Sequence, residues 1–156
     1  MAIYRHFANK QALLDALVVE GIEDWRRRVA AIPACAPLER LRKISDAYLQ
    51  FALREPRKYE AAFLTSSPTA LRYPDDFLAG GSPAVSLQMQ LLKELTADQG
   101  ATSPELSDMM VIIAALSQGL ITLYRAGRIA GGERKFRALY RRAMERCVRS
   151  FLRERP

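Results

Sequence analysis

The stretch SPELSDMMVIIAALSQGLITLYRAG, residues 103–127, decides the fold class. Ser103-Pro104-Glu105 is a helix start. It combines a capping hydroxyl, a first-turn proline whose missing N–H costs nothing there, and an early acid at the positive end of the helix dipole. From Met109 to Leu116 every residue is apolar. A helix of that composition must be covered on several sides. The pattern continues through Gly119, Leu120, Leu123 and Tyr124 and stops at Gly127.

The chain on either side has the same period. Downstream, a helix starts around Gly132-Glu133 and carries Phe136, Leu139, Tyr140, Ala143, Met144, Cys147, Val148, Phe151 and Leu152. These steps alternate three and one, a seam that wants a partner helix. Upstream, Asn9 is an N-cap for a helix with Leu13, Leu14, Leu17, Val18, Ile22, Trp25 and Val29 on one side, ending near Ile32-Pro33. Leu38, Leu41, Ile44, Tyr48 and Phe51 trace a second helix that stops at Glu55-Pro56, and Pro56 opens a short third one with Tyr59 and Phe63. Thr65 to Pro83 holds Pro68, Pro74, Gly80 and Gly81 and reads as a loop with at most a turn of helix. Pro83 then begins a helix with Val85, Leu87, Leu91, Leu92 and Leu95 inward. No stretch alternates like a strand, so the expected fold is all-α.

Composition narrows the function. The chain has 156 residues, 49% hydrophobic and 26% charged, which suits one globular domain with its own core rather than a disordered tail. The net charge of +7 invites a nucleic-acid reading, but its placement argues otherwise. Residues 1–30 carry five basic and four acidic side chains, residues 31–124 eight and ten, and residues 125–156 eleven and three. The surplus lies in the last helix, as its solvated side.

Cys35 and Cys147 are far apart and His6 is the only histidine, so no metal site, redox pair or catalytic triad is expected. No phosphate-binding glycine motif occurs, so neither a cofactor nor an enzymatic activity is expected. The first residues lack signal-peptide character, and no uninterrupted apolar run reaches the roughly 18 residues of a membrane span. A cytoplasmic protein without a membrane partner is the expectation.

Residues 2–20, AIYRHFANKQALLDALVVE, resemble the end of the helix-turn-helix domain of tetracycline-repressor (TetR/AcrR) type transcription regulators. The matching residues are Ile3-Tyr4-Arg5-His6-Phe7, then Asn9-Lys10-Gln11, then Leu13-Leu14. The resemblance implies that Tyr4, His6 and Lys10 hold DNA phosphates at the end of a recognition helix, where such contacts fix register rather than read bases. Read without the resemblance, Tyr4 and His6 would simply cover an apolar surface. FALREPRKYEAAFL (residues 51–64) and SQGLITLYRAGRI (residues 117–129) resemble later helices of the same regulators less specifically.

The implied division is residues 1–12 as the remnant of a helix-turn-helix domain and residues 13–156 as a C-terminal ligand-binding and dimerisation domain. Two alternatives stay open. Either the natural protein is a complete ligand-responsive DNA-binding regulator, in the commonest case a repressor, or the chain is a truncated module that binds ligand and dimerises without binding DNA by itself. The first is preferred, because a phosphate-contact motif makes little sense without its partner helices.

The resemblance further implies a homodimer, in which the last two helices pair with their copies across a twofold axis. Gly119, Leu120 and Leu123 on one helix and Tyr140, Met144, Cys147, Val148 and Phe151 on the other are the expected interface. It also implies an effector cavity; because few of the expected lining residues carry a polar group and none a charge, the expected effector is small, mostly apolar and uncharged, aromatic or amphipathic. Large or soft side chains at inward positions are the expected lining: Trp25, then Tyr48 and Phe51, then Tyr59 and Phe63, then Leu87 and Leu91, and finally Met109, Ile113 and Gln118. Gln118 is the most informative of these, since a buried amide needs partners.

Overall fold

A computed structural model describes Phe7, residues 9–66 and residues 70–152. Tyr4 and His6 lie outside the described residues. Among the described residues the regular structure is helical throughout: α1 (Lys10–Ala30), α2 (Pro37–Arg54), α3 (Pro56–Phe63), α4 (Asp75–Leu78), α5 (Pro83–Leu95), a 3₁₀ turn (Ala97–Gln99), α6 (Ser103–Arg125) and α7 (Gly132–Phe151).

Local chemistry sets the ends of these helices. The Asn9 side chain accepts a hydrogen bond from the Ala12 N–H, and the Ser82 side chain accepts one from Val85, each satisfying an orphan donor. α2, α3 and α5 each carry a proline in the first turn. The start of α6 differs from the expected one by a residue. Thr102, not Ser103, is the cap, in a reciprocal box with Glu105. The reason is spacing: the glutamate must stand three positions after the cap, which Thr102 meets and Ser103 does not. α4 is the single turn of helix within the irregular stretch after α3.

The core is built where α2, α5, α6 and α7 meet, with α1 and α3 closing one side. Leu49, Phe51, Ala52, Tyr59, Ile121, Phe136 and Tyr140 have no exposed surface. Tyr124 stacks flat on Phe136 with ring centroids 4.1 Å apart, tying α6 to α7. α6 is long and apolar enough to cross a membrane by length and composition alone. In the bundle its Leu106, Met110, Ile113, Ser117 and Ile121 are buried against other helices.

α1 lies close along α3 because position 21 has no side chain. A Cβ on Gly21 would stand 2.8 Å from the Lys58 carbonyl oxygen and 3.0 Å from Ala62 Cβ. Around this contact Lys58 reaches Asp24 at 2.8 Å and Glu20 at 3.0 Å, and Arg28 pairs with Glu55. These partly exposed pairs add little stability each; they orient the two helices. The Lys58 and Arg27 hydrogen bonds hold the Asp24 carboxyl below its usual range.

Gly21→Ala is therefore expected to lower stability. The helix-propensity gain of about 1 kcal/mol is outweighed by an overpacking cost of roughly 1–3 kcal/mol. Urea unfolding checks this, and a stabilised variant would show that α1 and α3 are not held by backbone approach.

Candidate functional site

A cavity of about 480 Å³ lies between α1, α2, α3 and α6, with α4 and the start of α5 along its edge. Its volume is within the range of small-molecule sites. Each wall is one stripe of a helix. α1 supplies Ile22, Trp25 and Arg26, α2 supplies Ile44, Ser45 and Tyr48, and α3 supplies Ala62 and Phe63. α6 supplies Met110, Ile113, Ala114, Ser117 and Gln118, at steps of three, one, three and one. The irregular stretch adds Ala70, Leu71, Phe77, Gly81 and Ser82, and α5 adds Pro83, Val85 and Gln88.

Aromatic rings dominate one part of the wall. Trp25 meets Tyr48 edge-on at 5.2 Å and Phe63 at 6.0 Å, and Tyr48 meets Phe63 at 4.9 Å. Edge-to-face packing fixes ring planes, so this wall is pre-formed. Behind it stand Phe51 and Tyr59, both without exposed surface. The Tyr48 and Tyr59 hydroxyls are 3.5 Å apart. Burial pushes the Tyr48 phenol well above the usual tyrosine range, with the neighbouring Tyr59 adding to the shift, and raises the Tyr59 phenol as well. The Gln118 side chain, near the Tyr48 hydroxyl, opposes part of the shift at Tyr48. Ser117 receives a hydrogen bond from the Tyr140 hydroxyl at 3.1 Å. The inner wall is thus polar but neutral. Among the described residues no set of three His, Cys, Asp or Glu side chains is placed to hold a metal.

The expected lining residues divide. Trp25, Tyr48, Phe63, Ile113 and Gln118 come together on the cavity wall. Phe51 and Tyr59 form the layer behind it. Leu91 is buried in the core, and Leu87 and Met109 pack half-buried against it, away from the wall. On α6 the inward stripe passes through Met110, and Met109 is a third of a turn off it. Ile22, Ser45, Phe77, Val85, Gln88, Met110 and Ser117 were missed. Their types carry no signal, and only the packing of several helices brings them together. Arg26 was missed because a charged residue was not expected on the wall. Lys10 is exposed in the first turn of α1, on a different part of the molecule.

The expected interface residues also divide. Tyr140, Met144 and Val148 are buried within the single chain. They face α2 across a groove of about 280 Å³ lined by Leu38 and Leu41. Arg141–Asp46 and Arg42–Glu145 pairs, at 2.8 and 2.9 Å, stand over it. Leu120, Cys147 and Phe151 are half-buried, and burial raises the Cys147 thiol pKa. Gly119 and Leu123 are exposed. With Ile112, Ala115 and Leu116 they make an apolar stripe along the outside of α6. Ile112 is 47% and Leu123 48% exposed, which is high for residues on so apolar a helix.

Residues 41–147, from the second turn of α2 to the last turns of α7, match the model of the tetracyclin repressor-like C-terminal domain family. The chain belongs to this family. No curated protein and no solved structure matches it. The matched segment contains every wall of the cavity except α1. Its members are the ligand-binding and dimerisation modules typical of TetR regulators, a family that is generally non-enzymatic.

Proposed function

We propose that this chain is the effector-binding and dimerisation part of a cytoplasmic TetR-type transcriptional regulator, a repressor, with residues 1–12 closing a helix-turn-helix domain. The observation that carries the reading is the shared helix α1. It walls the cavity with Ile22, Trp25 and Arg26, and it begins at Lys10, in the phosphate-contact motif. From Lys10 to Trp25 is about 22 Å along the helix. A ligand wedged between Trp25 and the Tyr48–Phe63 wall tilts α1. A tilt of about 10° over that length moves its tip by roughly 4 Å. Operator half-sites are held one helical turn apart, so such a shift misaligns two DNA-binding heads. Ligand then lowers operator affinity by its differential binding to the two arrangements.

Two heads require two chains. The apolar stripe on α6, flanked by Leu120, Cys147 and Phe151, is the proposed twofold interface. Gly119 at its centre supports this. A Cβ there would meet nothing within 4 Å in the single chain, so nothing internal requires glycine. A glycine in mid-helix costs about 1 kcal/mol, and close approach of a partner helix supplies a reason for it.

The test uses a chain carrying the two helices expected to precede residue 1, in a mobility-shift titration against candidate operator fragments. Lys10→Ala is expected to weaken binding to all sequences alike and to lower the salt slope by about one. An effect confined to one operator base would contradict the phosphate role. Absence of any shift by the extended wild-type chain would leave a ligand-binding module that does not bind DNA.

A further inference from the structure

We infer that the cavity selects molecules carrying one negative charge beside a flat aromatic body, and that Arg26 at its rim reads the charge. The inference rests on the effector reading of this cavity. Its starting point is an asymmetry of the lining. Among the described residues the wall contains no Asp or Glu, and Arg26 is its one charged side chain. Of the acids nearest in sequence, Glu23 pairs with Arg26 itself, whereas Asp24 and Asp76 are engaged elsewhere. Asp24 is held by Lys58 and Arg27, and Asp76 accepts the Arg72 backbone N–H at 2.6 Å.

Arg26 itself is available. Its partner is Glu23, one turn back on the same helix at 3.3 Å, and both side chains are nearly half exposed. Such a pair contributes little and is given up easily to a better acceptor. Trp25 is the adjacent residue, and its edge-on contacts with Tyr48 and Phe63 define the aromatic wall. An aromatic body against these rings places a substituent within reach of the rim. A negative group there stays partly in water, so its desolvation cost is small, while the guanidinium offers a charge-assisted hydrogen bond. A cationic substituent meets no acid on the wall itself, and the nearest carboxylate, Glu23, is already paired with Arg26, whose charge opposes it. The inner end, with Ser117 and Gln118, has neutral donors and acceptors only and discriminates against charge of either sign.

A matched pair of fluorescent probes isolates the charge. 1-Anilinonaphthalene-8-sulfonate and N-phenyl-1-naphthylamine share their aromatic body and differ by one sulfonate. In fluorescence titrations the wild-type chain is expected to bind the sulfonate about three- to tenfold more tightly, the range of a partly exposed charged contact. Arg26→Gln is expected to erase that preference and leave the neutral probe unchanged. Replacing the exposed α7 arginines, Arg142→Gln with Arg146→Gln, should leave the preference intact. A preference that survives Arg26→Gln, or that disappears with the α7 pair, overturns the inference. Ala114→Trp, which fills the cavity, should abolish binding of both probes. If it changes neither, the cavity is not the site and the effector reading fails with it.

Discussion

Replacing Ile112 and Leu123 together with glutamate is expected to turn the proposed dimer into a folded monomer. Both side chains stand on the outer face of α6 and are about half exposed in the single chain. Within the monomer the glutamates remain in water and cost little. In a twofold interface four carboxylates face a dry apolar seam. Burying unpaired charge there costs at least about 3 kcal/mol, which weakens the dimer by roughly two powers of ten. Sedimentation equilibrium reads the association and thermal unfolding reads the fold. A wild-type chain that sediments as a monomer at tens of micromolar, or a double variant that stays dimeric, removes the interface from α6. Position 144 is unsuited to this test. Met144 is 4% exposed in the single chain and packs beneath α2, so Met144→Asp would unfold the domain before it reported on association.

Tyr59→Ala is expected to cost about 3–5 kcal/mol, the range for truncating a large buried aromatic. Tyr59 has no exposed surface and meets Tyr48, Phe51 and Phe63 with ring centroids 5.4, 6.4 and 5.6 Å away. It stands behind the two rings that face the cavity. Removing it takes away one of the rings behind Tyr48 and Phe63, leaving Phe51 alone behind the wall, and the pre-formed wall loosens into the gap. Tyr59→Phe keeps the packing and gives up only the 3.5 Å contact between hydroxyls. Its expected cost is below about 1 kcal/mol. Urea unfolding separates the two variants, and binding of N-phenyl-1-naphthylamine should follow the same order. Equal stability of the alanine and phenylalanine variants would mean that the ring carries no weight in the wall.

The two substitutions act on different layers of one molecule. The outer stripe of α6 belongs to the proposed meeting of two chains, and the rings behind the cavity to the proposed ligand wall. α6 serves both because its apolar residues surround it almost completely. Met110, Ile113 and Ser117 turn toward the cavity and core, while Ile112, Ala115 and Gly119 turn away.

The all-helical class, the helix order and most helix ends follow from residue order alone. They rest on local physics: prolines at first turns, capping side chains at Asn9 and Ser82, and apolar periods near 3.6. The short Tyr-His-Phe-Lys motif at the start and the family resemblance are equally local. Tertiary structure alone decided which side of each apolar helix is used, and for what. On α7 the steps of three and one describe two adjacent lines about 100° apart, and periodicity cannot rank them. Packing against α2 and α6 draws Phe136, Tyr140, Met144 and Val148 inward and leaves Leu139, Ala143 and Cys147 half covered. On α6 the same ambiguity separates Met110, on the cavity wall, from Met109, which is off it. Arg26 shows the limit most clearly. A charged residue on an amphipathic helix reads as solvent-facing, and it is half exposed, yet it stands at the edge of the cavity because Trp25 beside it is drawn into the aromatic wall. A helical period constrains the angle of a side chain about its own axis. Whether that angle points to core, cavity, partner or water depends on neighbours that are distant in the chain.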